Sequence, residues 1–474
     1  MRLQLFNTAS RQIEHFAPLN PPHVGIYMCG LTVYYYAHIG NWRAYINSDV
    51  LFRTLKYMGF DVRTVMNVTD VGHLTSDEDE GEDKMEVRAR QEQKSPWDIA
   101  KFYENYFFHH FDTLNIVRPT VSCRGTEHIP DMIGLIQRLE ERGFTYQTSV
   151  GVIFDTAKFP AYPKFARLNL EGQQAGSRVT QDPERKNPWD FALWVTNQPK
   201  HIMQWDSPWG RGFPGWHIEC SAMSMKYLGD EFDIHTGGID HIPVHHTNEI
   251  AQSEAATGKR FVKYWFHSDF LSINGQKMSK SLNNLYTIEN LVERGFSPLA
   301  LRYFYLGSSY RKTMNFTWEA LTAAQNALVR LWQKCADFPE TPDGPPLEEK
   351  MAAFEEAIGD DMNTSKALAV LWETVKTGKP ANQVAATLAE MDRILGLDLR
   401  KAGKRLEELR GIQTQSLKHG QHARELAQKR AELRQQKQFA EADALRDEIA
   451  SLGFIVEDAS QGFTLKPKGP DVHN

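Results

Sequence analysis

Apolar and polar positions change period several times along this chain, and each change predicts an element. Val24-Gly-Ile-Tyr-Met-Cys29 is a short apolar run entered through Pro21-Pro22, and it reads as a buried strand. A loop with Gly30 and Gly40 follows. From about Trp42 to Met58, apolar residues (Ala44, Ile46, Val50, Leu51, Leu55) recur at helical spacing until Gly59 stops them, and Val62 to Val68 reads as a second strand. Such a crossover is right-handed and makes the two strands parallel, so the chain should build an α/β sheet. Ligands bind beyond the carboxyl ends of such strands, which directs attention to the 29–41 loop. Residues 126–214 mix a helix (Ile129 to Gly143) with short strands and many Pro and Trp, as an insertion would. A second α/β stretch runs from Gly215 to about Tyr264. Beyond Leu291 the pattern is almost purely helical, broken by a Pro-rich linker from Phe338 to Pro346. No internal repeat is present.

Composition narrows the class. The chain has 474 residues, 41% hydrophobic and 24% charged, with 32 Gly and 22 Pro, which excludes collagen-like and largely disordered proteins. Mean hydropathy is −0.49, and no run approaches the roughly 18 apolar residues of a membrane helix. The N-terminus lacks the basic start and apolar block of a signal peptide, so a soluble, cytoplasmic protein is expected. Four cysteines are too few for a disulfide scaffold in a chain this long. Lys and Arg number 54 against 60 Asp and Glu, a net charge of −6, so any polyanion must be held by a local basic patch. Residues 401–440 offer one, with ten Lys and Arg (401, 404, 405, 410, 418, 424, 429, 430, 434, 437) against four Glu (407, 408, 425, 432). Beyond it, Ala444, Leu445, Ile449 and Leu452 stand at helical spacing before the apolar run Phe454-Ile-Val456.

Three constellations carry chemistry. His38-Ile39-Gly40-Asn41 leads from a strand into a helix N-terminus, where free backbone N–H groups and the positive dipole end favour a phosphate. Gly40 permits close approach, and the His38 imidazole can donate to a developing phosphate charge. In Lys277-Met278-Ser279-Lys280-Ser281, two lysines flanking a serine suit a departing pyrophosphate. Finally, Cys29, Cys220, His245 and Glu249 offer two sulfurs, a nitrogen and an oxygen, a plausible zinc set if 244–256 is a helix. Spacing leaves His246 and His217 as alternatives. The acidic run Asp77, Glu78, Asp79, Glu80, Glu82, Asp83 is not an EF-hand loop, because Gly81 stands at its fifth position, and it reads as a solvated loop.

Taken together, HIGN and KMSKS resemble the two signature motifs of class I aminoacyl-tRNA synthetases, with Asn41 where the first signature ends in His. Asn41 keeps a hydrogen-bond donor but cannot carry a proton charge. MCG-TVY--AHIGN, Asn67-Val-Thr-Asp70, GWHIECSAM, FDIH-GG-D, HH--NEIAQSE, Leu301-Arg-Tyr-Phe304 and Asp360-Asp361-Met-Asn363-Thr364 extend the likeness through nearly the whole chain, and they are similar to the cysteinyl-tRNA synthetases. The resemblance implies zinc ligands Cys29, Cys220, His245 and Glu249, with Thr69 and Trp216 touching the cysteine substrate. It also implies that Gly237, Gly238 and Asp240 face the adenosine and that Lys280 contacts ATP. His38, Gly40, Asn41, Lys277 and Lys280 would form the catalytic loops.

The expected architecture is a Rossmann-like parallel α/β catalytic core split by an insertion, then an α-helical tRNA-binding region and a small C-terminal domain. The boundaries are 1–125 and 215–310 for the core halves, 126–214 for the insertion, 311–400 for the helical region and 401–474 for anticodon recognition. The expected partners are L-cysteine, ATP with Mg²⁺, and tRNA-Cys; one Zn²⁺ is expected per monomer, with no membrane. The zinc makes chemical sense, because a steric pocket separates thiol from hydroxyl only modestly. A thiol ionises far more readily than an alkanol and binds zinc as thiolate. Two other readings share these residues. A ligase passing cysteinyl-adenylate to a small amine would lack the helical stretch 350–474. A non-catalytic tRNA-binding relative would have damaged ATP or zinc residues, and only Asn41 departs from pattern.

Overall fold

The computed structural model describes residues 1–71, 84–168, 183–279, 282, 284–339, 342, 344–452, 454–458 and 462–467. The acidic run from Asp77 to Asp83, and Lys280 and Ser281, lie outside the described residues. Five parallel strands form the main sheet: β1 (His23–Met28), β2 (Asp61–Val68), β3 (Val121–Arg124), β4 (Phe232–Gly238) and β5 (Val262–Ser268), in the order β3-β2-β1-β4-β5. The order reverses direction at β1, so a crevice is expected beyond the carboxyl ends of β1 and β4. Tyr27 lies opposite Val65 on one side and His235 on the other.

Side-chain parity along β1 then decides which layer each residue meets. Val24, Ile26 and Met28 enter one core with Trp42, Ile46 and Val50 of helix α1 (Ile39–Tyr57). Tyr27 and Cys29 enter the opposite core, beneath helices α2 (Trp216–Leu228) and α3 (His245–Thr257). That parity turns Cys29 toward Cys220 on α2 and toward His245 and Glu249 on α3. The segment between β3 and β4 holds a helix (Ile129–Glu141) and a four-stranded antiparallel sheet made of Thr145–Gln147, Gly151–Phe154, Phe191–Thr196 and Gly212–Pro214.

After residue 317 helices dominate, ending in the 34-residue α4 (Ala402–Gln435) and α5 (Phe439–Ser451). The boundary expected at 401 falls immediately before α4, whose two halves pack differently. Leu409, in the first half of α4, is buried in the main core, whereas Ala423, Leu426 and Ala427 form a separate small core with Ile449 and Val456. The independent apolar unit therefore begins near 420, and α4 spans both bodies. Charge periodicity could not reveal this, because a helix with a polar surface looks alike on either side of the junction. Among the described residues no helix is long and apolar enough to cross a membrane.

Candidate active site and metal centre

A cavity of about 630 Å³ opens beyond the carboxyl ends of β1 and β4. Its walls bring together Cys29, His38, Gly40, Asn41, Trp216, Gly237, Gly238, Asp240 and Lys277, which are far apart in the chain. Thr69 is not among the lining residues. It is buried beneath the 29–41 loop, where its hydroxyl donates to Glu219 Oε2 at 3.1 Å and its carbonyl accepts from Val33 N.

His38 is the N-cap of α1, and with Asn41 it forms a capping box. The Asn41 backbone N–H donates to His38 Nδ1 at 3.3 Å, and the His38 N–H donates to Asn41 Oδ1 at 3.0 Å. Asn41 thus satisfies an orphan helix donor at the place where the synthetase signature ends in His. Because Nδ1 accepts, the imidazole proton sits on Nε2. Burial pushes the His38 pKa down to about 4, which keeps the ring neutral. Gly40 sits close under the lysine loop, since a Cβ there would stand 2.8 Å from Met278 Sδ and 3.1 Å from His38 Nδ1.

That loop leaves a hairpin, Leu271–Ile273 with Gln276–Lys277, and is held by Asn284. The Asn284 side chain donates to the Lys277 carbonyl at 3.1 Å and accepts from Ser279 N at 2.8 Å. Lys277 is exposed at the cavity wall.

Cys29, Cys220, His245 and Glu249 are all buried, and one donor atom from each lies within 4.8 Å of every other. The two sulfurs are 3.9 Å apart, and His245 Nε2 is 3.1 Å from Glu249 Oε1. Two thiolates about 2.3 Å from a tetrahedral zinc stand about 3.8 Å apart, so the donor set fits that ion. The four groups hold one another's protons, and burial with the neighbouring Cys220 and Glu249 pushes the Cys29 thiol well up. A hydrogen bond from Cys29, aided by His245, brings Cys220 down to about 7. Burial opposes charge on His245, but its bonds to Cys220 and Glu249 outweigh that and raise it to about 10. Burial likewise opposes the Glu249 charge, yet His235 and His245 hold it at about 2.

A second set (Cys29, His235, His246, Glu249) meets the same distance test. In it His235 Nε2 lies 2.8 Å from Glu249 Oε2, and His246 presents Nε2 3.4 Å from Cys29 Sγ while its Nδ1 lies 2.7 Å from His267 Nε2. His235 suits an outer position that orients Glu249, as His217 does for His245 through a 2.9 Å Nδ1–Nδ1 contact. The set with two sulfurs is the softer of the two and the closer match to zinc chemistry.

Several residues at this site were not singled out in the sequence. His241 lines the cavity with its Nδ1 lacking a hydrogen-bond partner among the described residues, and a Cβ at Gly237 would crowd two imidazoles, 2.7 Å from His246 Cε1 and 2.8 Å from that Nδ1. The hydroxyls of Ser48 and Thr236, 3.0 Å apart, give the cavity a polar floor, and Arg43, buried behind the wall, donates to the carbonyls of the lining residues Asp269 and Phe270. A cation at position 43 within an apolar helical stripe was the one available signal.

Comparison with known proteins follows the same lines. Residues 15–326 match the catalytic domain of class I (C) tRNA synthetases, 353–400 a DALR domain, and 420–463 the cysteinyl-tRNA ligase anticodon binding domain. The chain is 43% identical to the cysteine–tRNA ligase of Treponema denticola, covering 98% of this chain and 100% of that one. It is 45% identical to cysteine–tRNA ligase 1 of Burkholderia lata, covering 98% and 97%. Methionyl-tRNA synthetase of Mycobacterium tuberculosis, in complex with methionyl-adenylate, superposes with a TM-score of 0.52 at 16% identity, covering 81% of this chain and 93% of that one. This last likeness speaks for the fold alone. With its β3-β2-β1-β4-β5 sheet and both signature loops on one cavity, the chain belongs to the cysteine–tRNA ligase family of class I aminoacyl-tRNA synthetases.

Proposed function

We propose that this cavity activates L-cysteine with Mg-ATP and passes it to the 3′ end of tRNA-Cys, selecting the thiol by a zinc ion held on Cys29, Cys220, His245 and Glu249. The observation that carries the reading is that this buried donor set reaches, through Cys29, the same cavity as His38 and Lys277. A zinc ion there supplies a soft ligand site for thiolate that serine and alanine cannot use.

The protein's own groups then perform the activation. The cysteine carboxylate attacks the α-phosphorus, forms the acyl-phosphate bond and expels pyrophosphate. Neutral His38 donates from Nε2 to the phosphate oxygens as charge builds, and Gly40 lets the helix N-terminus approach them. Lys277 and Lys280 take the pyrophosphate charge. Trp216, whose ring lies 4.8 Å from that of His245, walls the amino-acid side, with Thr69 acting on it from beneath the loop. Gly237, Gly238 and Asp240 face the adenosine. In the second step a ribose hydroxyl at the tRNA 3′ end attacks the carbonyl and releases AMP. No enzyme nucleophile is needed, since positioning and charge stabilisation supply the barrier reduction.

The reading takes the enzyme as a cytoplasmic monomer. Four free, buried cysteines suit a reducing compartment, and sedimentation velocity tests the oligomeric state. The deciding experiment is cysteine-dependent ATP–pyrophosphate exchange followed by transfer of labelled cysteine to total tRNA, beside elemental analysis. One zinc per chain, exchange with cysteine but not serine, and transfer to tRNA are expected. Exchange without transfer would favour the small-amine ligase, and neither would favour a non-catalytic relative.

A further inference from the structure

Arg43 stands two residues beyond Asn41 on α1 and is only 1% exposed. The four acceptors its guanidinium reaches are carbonyl oxygens. Nη1 donates to Asp269 O at 2.8 Å and Phe270 O at 2.5 Å, and Nη2 donates to Ser309 O at 3.2 Å and to Lys312 O. Asp269 and Phe270 line the cavity and lead directly into the hairpin that carries Lys277. Ser309 and Lys312 bracket Tyr310, whose carbonyl accepts from Asp269 N at 2.8 Å.

The far end of the lysine loop returns to the same helix. Ile39 N donates to Tyr286 O at 2.7 Å, His38 bridges Thr287, and Tyr305 Oη donates to Ile39 O at 2.7 Å. Both ends of the 270–286 segment are therefore fixed to the opening turns of α1, and Arg43 is the side chain that fixes its entry.

A buried cation is a weak source of stability, because its desolvation offsets much of what its bonds return. Its planar fork, however, specifies direction at several acceptors at once, which a lysine point charge cannot do. We propose that Arg43 is a positioning residue for the activation step: it sets the lysine loop at the distance from His38 at which both signature motifs reach one triphosphate. The proposal rests on the functional reading above and deepens it.

The experiment measures cysteine-dependent ATP–pyrophosphate exchange in the full-length wild type, Arg43→Lys and Arg43→Gln, each with zinc content, thermal midpoint and peptide-resolved hydrogen exchange. The wild type comes first: no exchange there overturns the functional reading itself. Given wild-type exchange, Arg43→Lys is expected to lower kcat by about tenfold or more and to raise the KM for ATP, since misplacement near 1 Å costs up to about 10²-fold. KM for cysteine should stay within about twofold and zinc at one per chain, because the donor set does not contact Arg43. Protection should fall in peptides covering 269–286 and 309–314 and nowhere else.

Leu388→Ala, a destabilising change in the buried helical region (Leu388 is 2% exposed), serves as the stability control and should leave KM for ATP unchanged. The proposal is overturned by exchange within about twofold of wild type in the folded Arg43 variants. It is equally overturned by protection lost throughout the chain, or by the same KM shift in Leu388→Ala. If neither Arg43 variant folds, Arg43 is a folding residue and the positioning role is rejected.

Discussion

Cys220 and Cys123 are both buried, yet their surroundings assign them different fates. Cys220 is held near pKa 7 by its neighbours at the donor set, whereas Cys123 donates to Met66 O at 3.4 Å and burial raises it to about 12. Cys335 is likewise pushed up to about 12 in the helical core. Cys220→Ala should purify with little zinc by elemental analysis, while a Cys123→Ala, Cys335→Ala double variant should keep one zinc and activate cysteine within a few-fold of wild type. Asp70 provides a pH signature. Burial raises its carboxyl to about 6, although Thr126 donates to it through its N–H at 2.8 Å and its hydroxyl at 2.6 Å. A folded-state pKa above the unfolded one contributes stability that is full below about pH 4 and is lost as pH rises through about 6, on the order of 3 kcal/mol. Thermal melts should show wild type losing ground against Asp70→Asn between those values. A difference that is flat with pH removes Asp70 from the account.

The elements around the cavity are joined by buried charge as well as by apolar packing. Arg302, fully buried on the helix Pro298–Leu306, donates to Asp49 Oδ2 on α1 at 2.5 Å and to Leu395 O at 2.7 Å. Breaking such a pair leaves an uncompensated charge and costs about 3–5 kcal/mol. Asp49→Ala should therefore lower the thermal midpoint strongly, whereas removing the exposed Arg118–Asp112 pair should cost less than about 1 kcal/mol. At the lysine loop, Lys280→Ala is expected to slow cysteine-dependent exchange by about 10²-fold, the usual loss for one preorganised charge-stabilising donor. Zinc content should be normal in that variant, and unaltered exchange would take Lys280 out of the site.

For the whole molecule, the question is how a net-acidic chain holds tRNA. Of the ten cations in 401–440, Arg430 and Arg434 pair with Asp458, Arg405 pairs with Asp398 and Glu408, and Lys404 pairs with Glu408. Lys401, Arg410, Lys418, Arg424, Lys429 and Lys437 are exposed and suit phosphate contacts along α4. The small core beyond 420 could present its hairpin (Phe454–Asp458 with Phe463–Pro467) to unpaired bases. A chain ending at 419 keeps Leu409 in the main core, where a cut at Leu399 would strip it away. That shorter chain should retain pyrophosphate exchange yet lose most charging at sub-saturating tRNA, with the loss growing as salt rises. Undiminished charging would place tRNA recognition elsewhere.

What the residues alone determine is local. Periodicity marked β1, α1 and β2; the residue types in HIGN, KMSKS and the Cys/Cys/His/Glu set named phosphate and metal chemistry, because helix N-termini, lysines and thiolates act through short-range groups read from adjacent positions. Choosing His245 over His246 or His217 was beyond spacing, since all three share the right neighbourhood. Tertiary packing set the distances: β1 parity turned Cys29 toward α2 and α3, where His245 and His246 each come within reach of it and of Glu249. The capping role of Asn41, the burial of Thr69 beneath the 29–41 loop and the span of α4 across two cores were equally illegible, as was the carbonyl cradle of Arg43. Each depends on contacts between residues tens to hundreds of positions apart or on which helix face meets another body, and only the closed fold sets those distances.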